Sequence, residues 1–128
     1  MKKRDDLIYP EMSYEIVGIL YDVYNQLGFG HKEKFYQNAI ALALKGKNFI
    51  FKEQLYVPLL FNEKVVGRYF LDFLIDHKVV LEIKKDSIFY KKHIDQVFGY
   101  LKANNLKLGI LANFTKSGVR YKRIVNVR

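Results

Sequence analysis

The sequence contains no cysteine. That excludes disulfides and thiolate metal sites, and it fits a reducing compartment. No stretch approaches the ~18 consecutive apolar residues that a membrane-spanning helix needs. The opening residues, MKKRDDLIYPEM, are charged and have no apolar segment behind them, so no signal peptide is expected. These absences predict a soluble, cytoplasmic protein with no membrane partner. Acidic residues are also scarce. Thirteen Asp and Glu stand against 22 Lys and Arg, leaving a net charge of +9. On a small domain such a surplus favours a polyanionic partner, and charge alone suits nucleic acid and a lysine-rich surface that only confers solubility equally well.

What is present suits one globular domain. The chain has 128 residues, half of them apolar, with ten Tyr and ten Phe. That length predicts a single core over 1–128, with a charged lead-in at 1–10 and a basic tail at 115–128. Helical spacing runs from Glu11 to Leu27, with Val17, Leu20, Tyr21, Tyr24 and Leu27 as the stripe and Ile16, Ile19 and Val23 widening it. A second helix is expected from His31–Glu33 to Lys45, with Phe35, Ala39, Leu42 and Ala43 as its stripe and Tyr36 and Ile40 beside it. Strands are predicted over 48–61, 65–75 and 79–84. Pro58 marks the first as an edge or bent strand, because proline donates no ladder hydrogen bond. Asp86-Ser87 reads as a cap for a third helix from Ile88 or Phe89 to Ala103, buried through Ile94, Val97, Phe98 and Leu101. A strand over 106–113 and an alternating basic end at 119–127 complete the chain. The order is helix, helix, three strands, helix, strand. This is an α/β class with a central sheet covered on both faces, since the inner strands are apolar throughout.

The most informative stretch is Arg68 to Lys84, RYFLDFLIDHKVVLEIK. Two apolar runs flank the turn Asp76-His77-Lys78, and each carries one acid at its middle, Asp72 and Glu82. With a three-residue turn these two are directly opposed, on one face, with Cβ atoms ~5 Å apart. Two like charges there repel, and buried carboxylates lose hydration. A hard divalent cation, Mg²⁺ or Mn²⁺, reverses the sign of that interaction. Lys84 shares the face of Glu82, because strand side chains alternate. Two acids and an ammonium so placed suit metal-assisted phosphodiester hydrolysis. The bland reading is an ordinary ion-pair network with Lys84, Lys85 or Arg68. A two-carboxylate glycosidase fits poorly with a lysine and a basic surface.

Asp72 followed by Glu82-Ile83-Lys84 resembles the PD-(D/E)xK nuclease superfamily, and the element order resembles its αβββαβ core, the restriction-endonuclease-like fold. Gly30-His31-Lys32-Glu33-Lys34-Phe35-Tyr36 resembles the G-x-x-E-x-x-Y signature of the GxxExxY family within it. Gln96-Val97-Phe98-Gly99-Tyr100 resembles the Q-x-x-x-Y element of RecB-type nucleases, and Gly109 to Phe114 the GxLxNF segment of GxxExxY proteins. Arg123-Ile124 fits that family's basic ending. Leu71 stands where the superfamily's name has proline. The likeness spans about Tyr14 to Ile124.

The resemblance implies roles. Glu33, Asp72 and Glu82 would be metal ligands, with the Ile83 carbonyl as a further one, and Lys84 the catalytic lysine. Gln96 and Tyr100 would contact substrate phosphate or hold the site together. Apart from the resemblance, His93 shares their helix face, and the basic residues Lys92 and Arg123 are candidates for contacts to the substrate backbone. The expected activity is a Mg²⁺- or Mn²⁺-dependent nuclease on nucleic acid, DNA before RNA, choosing structure or ends. A domain this small covers little duplex, which makes a homodimer a candidate assembly. The alternative is a non-catalytic nucleic-acid-binding or interaction module that retains the fold.

Overall fold

A computed structural model describes residues 8–127. The chain opens with α1 (Pro10–Leu27), where proline occupies the first turn and needs no amide partner. Gly28, at φ 75°, closes it with its N–H on the Tyr24 carbonyl. Helix α2 (Glu33–Gly46) follows, then strands β1 (Phe51–Phe61), β2 (Lys64–Ile75) and β3 (Val79–Lys84). Helix α3 (Lys91–Ala103) crosses to β4 (Leu108–Thr115), which pairs with β5 (Gly118–Val125). The sheet order is β1-β2-β3-β4-β5, antiparallel except for the parallel β3–β4 pair that the α3 crossover makes necessary.

The sheet separates two apolar clusters. Ile16, Ile19, Leu20 and Val23 of α1 and Tyr36, Ile40 and Leu44 of α2 pack on Phe73, Val79, Leu81, Ile83 and Phe114. Val97 and Leu101 of α3 pack on Leu71, Val80 and Leu111 on the other side. This is the expected mixed sheet flanked on both faces. At the α3 contact Gly109 is required: a Cβ there would stand 2.4 Å from Val97 Cγ1.

Several boundaries and faces differ from the sequence expectations. In α1 the widening residues Ile16, Ile19 and Val23 form the buried face with Leu20, whereas Tyr21 and Leu27 are exposed. In α2 the stripe likewise rotates, leaving Leu42 and Phe35 exposed and Tyr36 and Ile40 buried. Two adjacent apolar rows satisfy helical spacing equally, and the sheet selects one. Residues 48–50 lie outside β1, because Asn48 takes a left-handed φ of 64° and Phe49 N–H returns to the Leu44 carbonyl. Asp86-Ser87 does not cap α3, which starts at Lys91 after Tyr90 with no side-chain cap. The intervening segment is held by Asn113 Nδ2 donating to the Ile88 carbonyl, 2.8 Å. Leu106 closes α3 through its N–H on the Leu101 carbonyl, so β4 begins later. The lead-in lies outside the described residues up to 7, and Ile8 and Tyr9 pack on the core. The tail is mostly strand β5.

Beyond the core the β1–β2 hairpin continues with apolar residues in the open. Leu59, Leu60, Phe61, Val65 and Val66 are all more than half exposed.

Candidate active site

The β2–β3 ladder ends at the pair Phe73–Leu81. One step on, in the same register, Asp72 faces Glu82, as the three-residue turn predicts. Here side chains replace the ladder. Asp72 N–H donates to Glu82 Oε1 (2.9 Å), and Ile83 N–H donates to Asp72 Oδ2 (2.7 Å). Each acid thus grips the backbone of the opposite strand. On the other side of β2, Gln54 holds a φ of 55° at the one position between Glu53 and Leu55 that leaves the β1 ladder. Across this step both strands change face. Phe51, Phe73 and Ile75 pack on the α1–α2 side, and Leu55, Val57 and Leu71 on the α3 side. The acids sit at that kink.

Both carboxylates are nearly buried, Asp72 6 % exposed and Glu82 3 %. Burial raises Asp72 to about 6, against the pull of the Ile83 amide and of Lys84. Burial and then the charge of Asp72 raise Glu82 to about 8. The Lys84 ammonium lies 3.6 Å from Glu82 Oε2 and only partly offsets this. The site is short of positive charge.

Glu33 opens α2, and its Oε2 accepts the Lys85 N–H at 3.0 Å. It is near enough to act electrostatically on Asp72. One helical turn later Gln37 donates Nε2 to Asp72 Oδ1 at 2.9 Å. Glu33 and Gln37 share a helix face by their spacing of four, which is the signal in the sequence that marks Gln37. His93 on α3 places Nδ1 3.6 Å from Asp86 Oδ2. Burial and the nearby Lys84 hold its pKa below the usual value. Gln96 is half-buried, and Tyr100 packs on the α3-side cluster, where burial raises its pKa. Neither hydrogen-bonds the acid pair. Lys92 is exposed on α3. Arg123 lies apart from the acids: its guanidinium donates to Ser13 Oγ and the Ile8 carbonyl at the start of α1. Arg123 therefore joins β5 to α1.

Among the described residues, no group of three or more Asp, Glu or His side chains is gathered for a metal ion. Glu33 faces the Lys85 amide instead of completing a triad with Asp72 and Glu82. Ile83 contributes through its N–H to the fixing of Asp72. The donor set nevertheless suits a hard divalent cation. It consists of carboxylate oxygens: the Asp72 and Glu82 side chains hydrogen-bond each other, both acids are held above their usual range, and the Lys84 ammonium lies beside Glu82 Oε2.

The surrounding motif residues are structural. Tyr36 is fully buried. Its hydroxyl donates to the Gly28 carbonyl and accepts the His31 N–H, which fixes the loop that launches Glu33. Gly30 in that loop holds a φ of 109°. Phe114 stacks edge-on with Tyr36 and Tyr24.

A mixed five-stranded sheet between helices, with an acid on one central strand and Glu-x-Lys on the next, defines a nuclease-like α/β class. The family model described as PD-(D/E)XK nuclease superfamily matches residues 10–124, and the chain belongs to that superfamily. Among solved structures, the crystal structure of SSO0001 aligns with a TM-score of 0.54 at 20 % identity, covering 94 % of this chain and 61 % of that one. That likeness is one of fold, and the present chain spans less than two thirds of the other's length. No curated protein matches the sequence. Nucleases of this superfamily act on nucleic acid and generally use divalent metals. No helix is long and apolar enough to cross a membrane among the described residues.

Proposed function

We propose that this chain is a Mg²⁺- or Mn²⁺-dependent nuclease that hydrolyses phosphodiester bonds, in DNA more than RNA, with a preference for structure or ends over sequence. The observation that carries this reading is the buried Asp72–Glu82 pair beside Lys84, two acids held above their usual range in a basic protein. Asp72 and Glu82 would hold the metal, and Glu33, which accepts the Lys85 N–H, and the Ile83 carbonyl are the further donors that metal binding would have to draw in. When bound, the ion supplies Lewis acidity toward a phosphate oxygen and a bound water of lowered pKa. Lys84 orients the attacking water or stabilises charge on the phosphate. Gln37 keeps Asp72 turned toward the site. His93, Lys92, Gln96 and Tyr100 on α3 are the side chains we assign to substrate. The Gly30–Glu33–Tyr36 and Gly109–Phe114 segments support placement in the GxxExxY family.

A homodimer is the assembly we propose, supported by the apolar hairpin end at Leu59–Phe61 and Val65–Val66. Large exposed apolar patches mark interaction surfaces. Light scattering should return twice the chain mass, and Phe61→Glu should return the monomer. A cytoplasmic location fits the absence of cysteine.

The reading is tested by incubating the protein with single-stranded, duplex, flapped and branched DNA and with RNA, in Mn²⁺, Mg²⁺ or chelator. Asp72→Asn and Lys84→Ala should each lower cutting by roughly 100-fold or more. One observation favours the competing reading of a non-catalytic binding module: Asp72 and Glu82 already serve as backbone clamps. Binding without cutting on every substrate, unchanged in both variants, would establish that module.

A further inference from the structure

Lys85, next to Lys84 in the chain, lines a cleft of about 580 Å³ to which Asp72, Glu82 and Lys84 do not contribute. Its walls are the 85–90 segment and the β4–β5 turn. Three cations line it, Lys85, Lys116 and Arg120, with two aromatic rings, Phe29 and Tyr90. Both rings are exposed, Phe29 40 % and Tyr90 43 %. Lys85 links cleft to site directly, since its N–H is the group that Glu33 accepts. The walls are fixed from behind. Asn113 ties the Ile88 carbonyl to β4, Tyr24 donates to the Thr115 carbonyl, and Thr115 Oγ1 donates to the Gly118 carbonyl. The Lys85 ammonium stands 6.0 Å from the Phe29 ring centroid, which sets a cation against a stacking surface.

We infer that this cleft is a subsite for a single-stranded nucleic-acid segment, a strand end or flap, entering or leaving the nuclease centre. The inference rests on the nuclease reading for its direction but not for its measurement. Cations beside exposed rings recognise phosphate and base together, and stacking tolerates any base. The volume lies in the range of small-ligand pockets and holds roughly one or two nucleotides, not a duplex. A duplex, its bases stacked inside, presents no ring faces to Phe29 and Tyr90. One acid, Asp86, also lines the cleft, beside His93.

The test is fluorescence anisotropy with a labelled single-stranded oligonucleotide and a labelled blunt duplex, in chelator so that nothing is cut. Phe29→Ala with Tyr90→Ala should weaken single-strand binding by roughly 5- to 150-fold for each base stacked, from ~1–3 kcal/mol per base, and leave duplex binding within about twofold. Lys116→Ala with Arg120→Ala should reduce the single-strand salt slope by about 1.4, at ~0.7 per phosphate. The charge-matched control, Lys45→Ala with Lys47→Ala at the far end of α2, should leave the single-strand preference in place. Equal loss on both ligands, or no loss from the aromatic pair in a protein with an unchanged melting curve, would overturn the subsite. Absence of cutting in Mn²⁺ would overturn the nuclease reading alone, because the anisotropy contrast does not depend on cleavage.

Discussion

At the scale of single residues, the acids at the strand kink have two duties that substitution can separate. Asp72 accepts hydrogen bonds from Ile83 and Gln37, and an asparagine keeps the shape and an acceptor for Ile83. Removing the charge also relieves Glu82, whose pKa Asp72 raises. Asp72→Asn should therefore abolish cutting while the melting temperature holds or rises. A fall of many degrees would mean that the carboxylate's structural duty dominates. The pH dependence has a definite sign. Both folded pKa values lie above the ordinary carboxylate range, so the folded state binds more protons than the unfolded state between about pH 4 and pH 8. Their contribution to stability is largest on the acid side and is lost as pH rises through about 6 to about 8. Without divalent ions, thermal melts should show lower stability at pH 8.5 than at pH 5.5. The gap should narrow with Mn²⁺, and in Asp72→Asn.

At the scale of elements, the hairpin was the most legible part of the chain. Strand β3 spans the Val79–Lys84 stretch expected, because a run apolar on both faces behind a short turn leaves few alternatives. Asp76 and His77 hold φ values of 52° and 57° in that turn, a conformation Asp and His tolerate better than most residues. The helix faces were less legible: Ile16 and Val17, or Phe35 and Tyr36, are neighbours in sequence, and only the sheet decides which is buried. The kink at Gln54 and the face change across Asp72 depend on two strands together and leave no local signal. Gln37 was legible in principle, one turn after Glu33. Two element contacts give predictions. Gly109→Ala drives a methyl into Val97 and should cost about 1–3 kcal/mol by denaturant unfolding, because α3 must move off β4. Tyr36→Phe strips the partner from the Gly28 carbonyl and should cost about 1–2 kcal/mol. It should also lower nuclease activity by loosening the loop before Glu33, whereas unchanged activity would detach that loop from the site.

At the scale of the whole molecule, scarcity of acids makes the remaining ones conspicuous. A net charge of +9 favours a polyanionic partner, and the two most buried acids among the described residues form the cation site we propose. We propose that this pair takes a divalent ion in exchange for a proton. Calorimetric titration with Mn²⁺ at pH 7, run in two buffers of different ionisation enthalpy, measures that exchange. Burial and mutual repulsion hold the pair above the usual carboxylate range, so the pair retains a proton more readily than free carboxylates and ion binding should release on the order of one proton. Glu82→Gln should abolish both the binding heat and the proton release. Mn²⁺ binding without proton release, or binding undiminished in Glu82→Gln, would contradict the assignment of the metal to this pair.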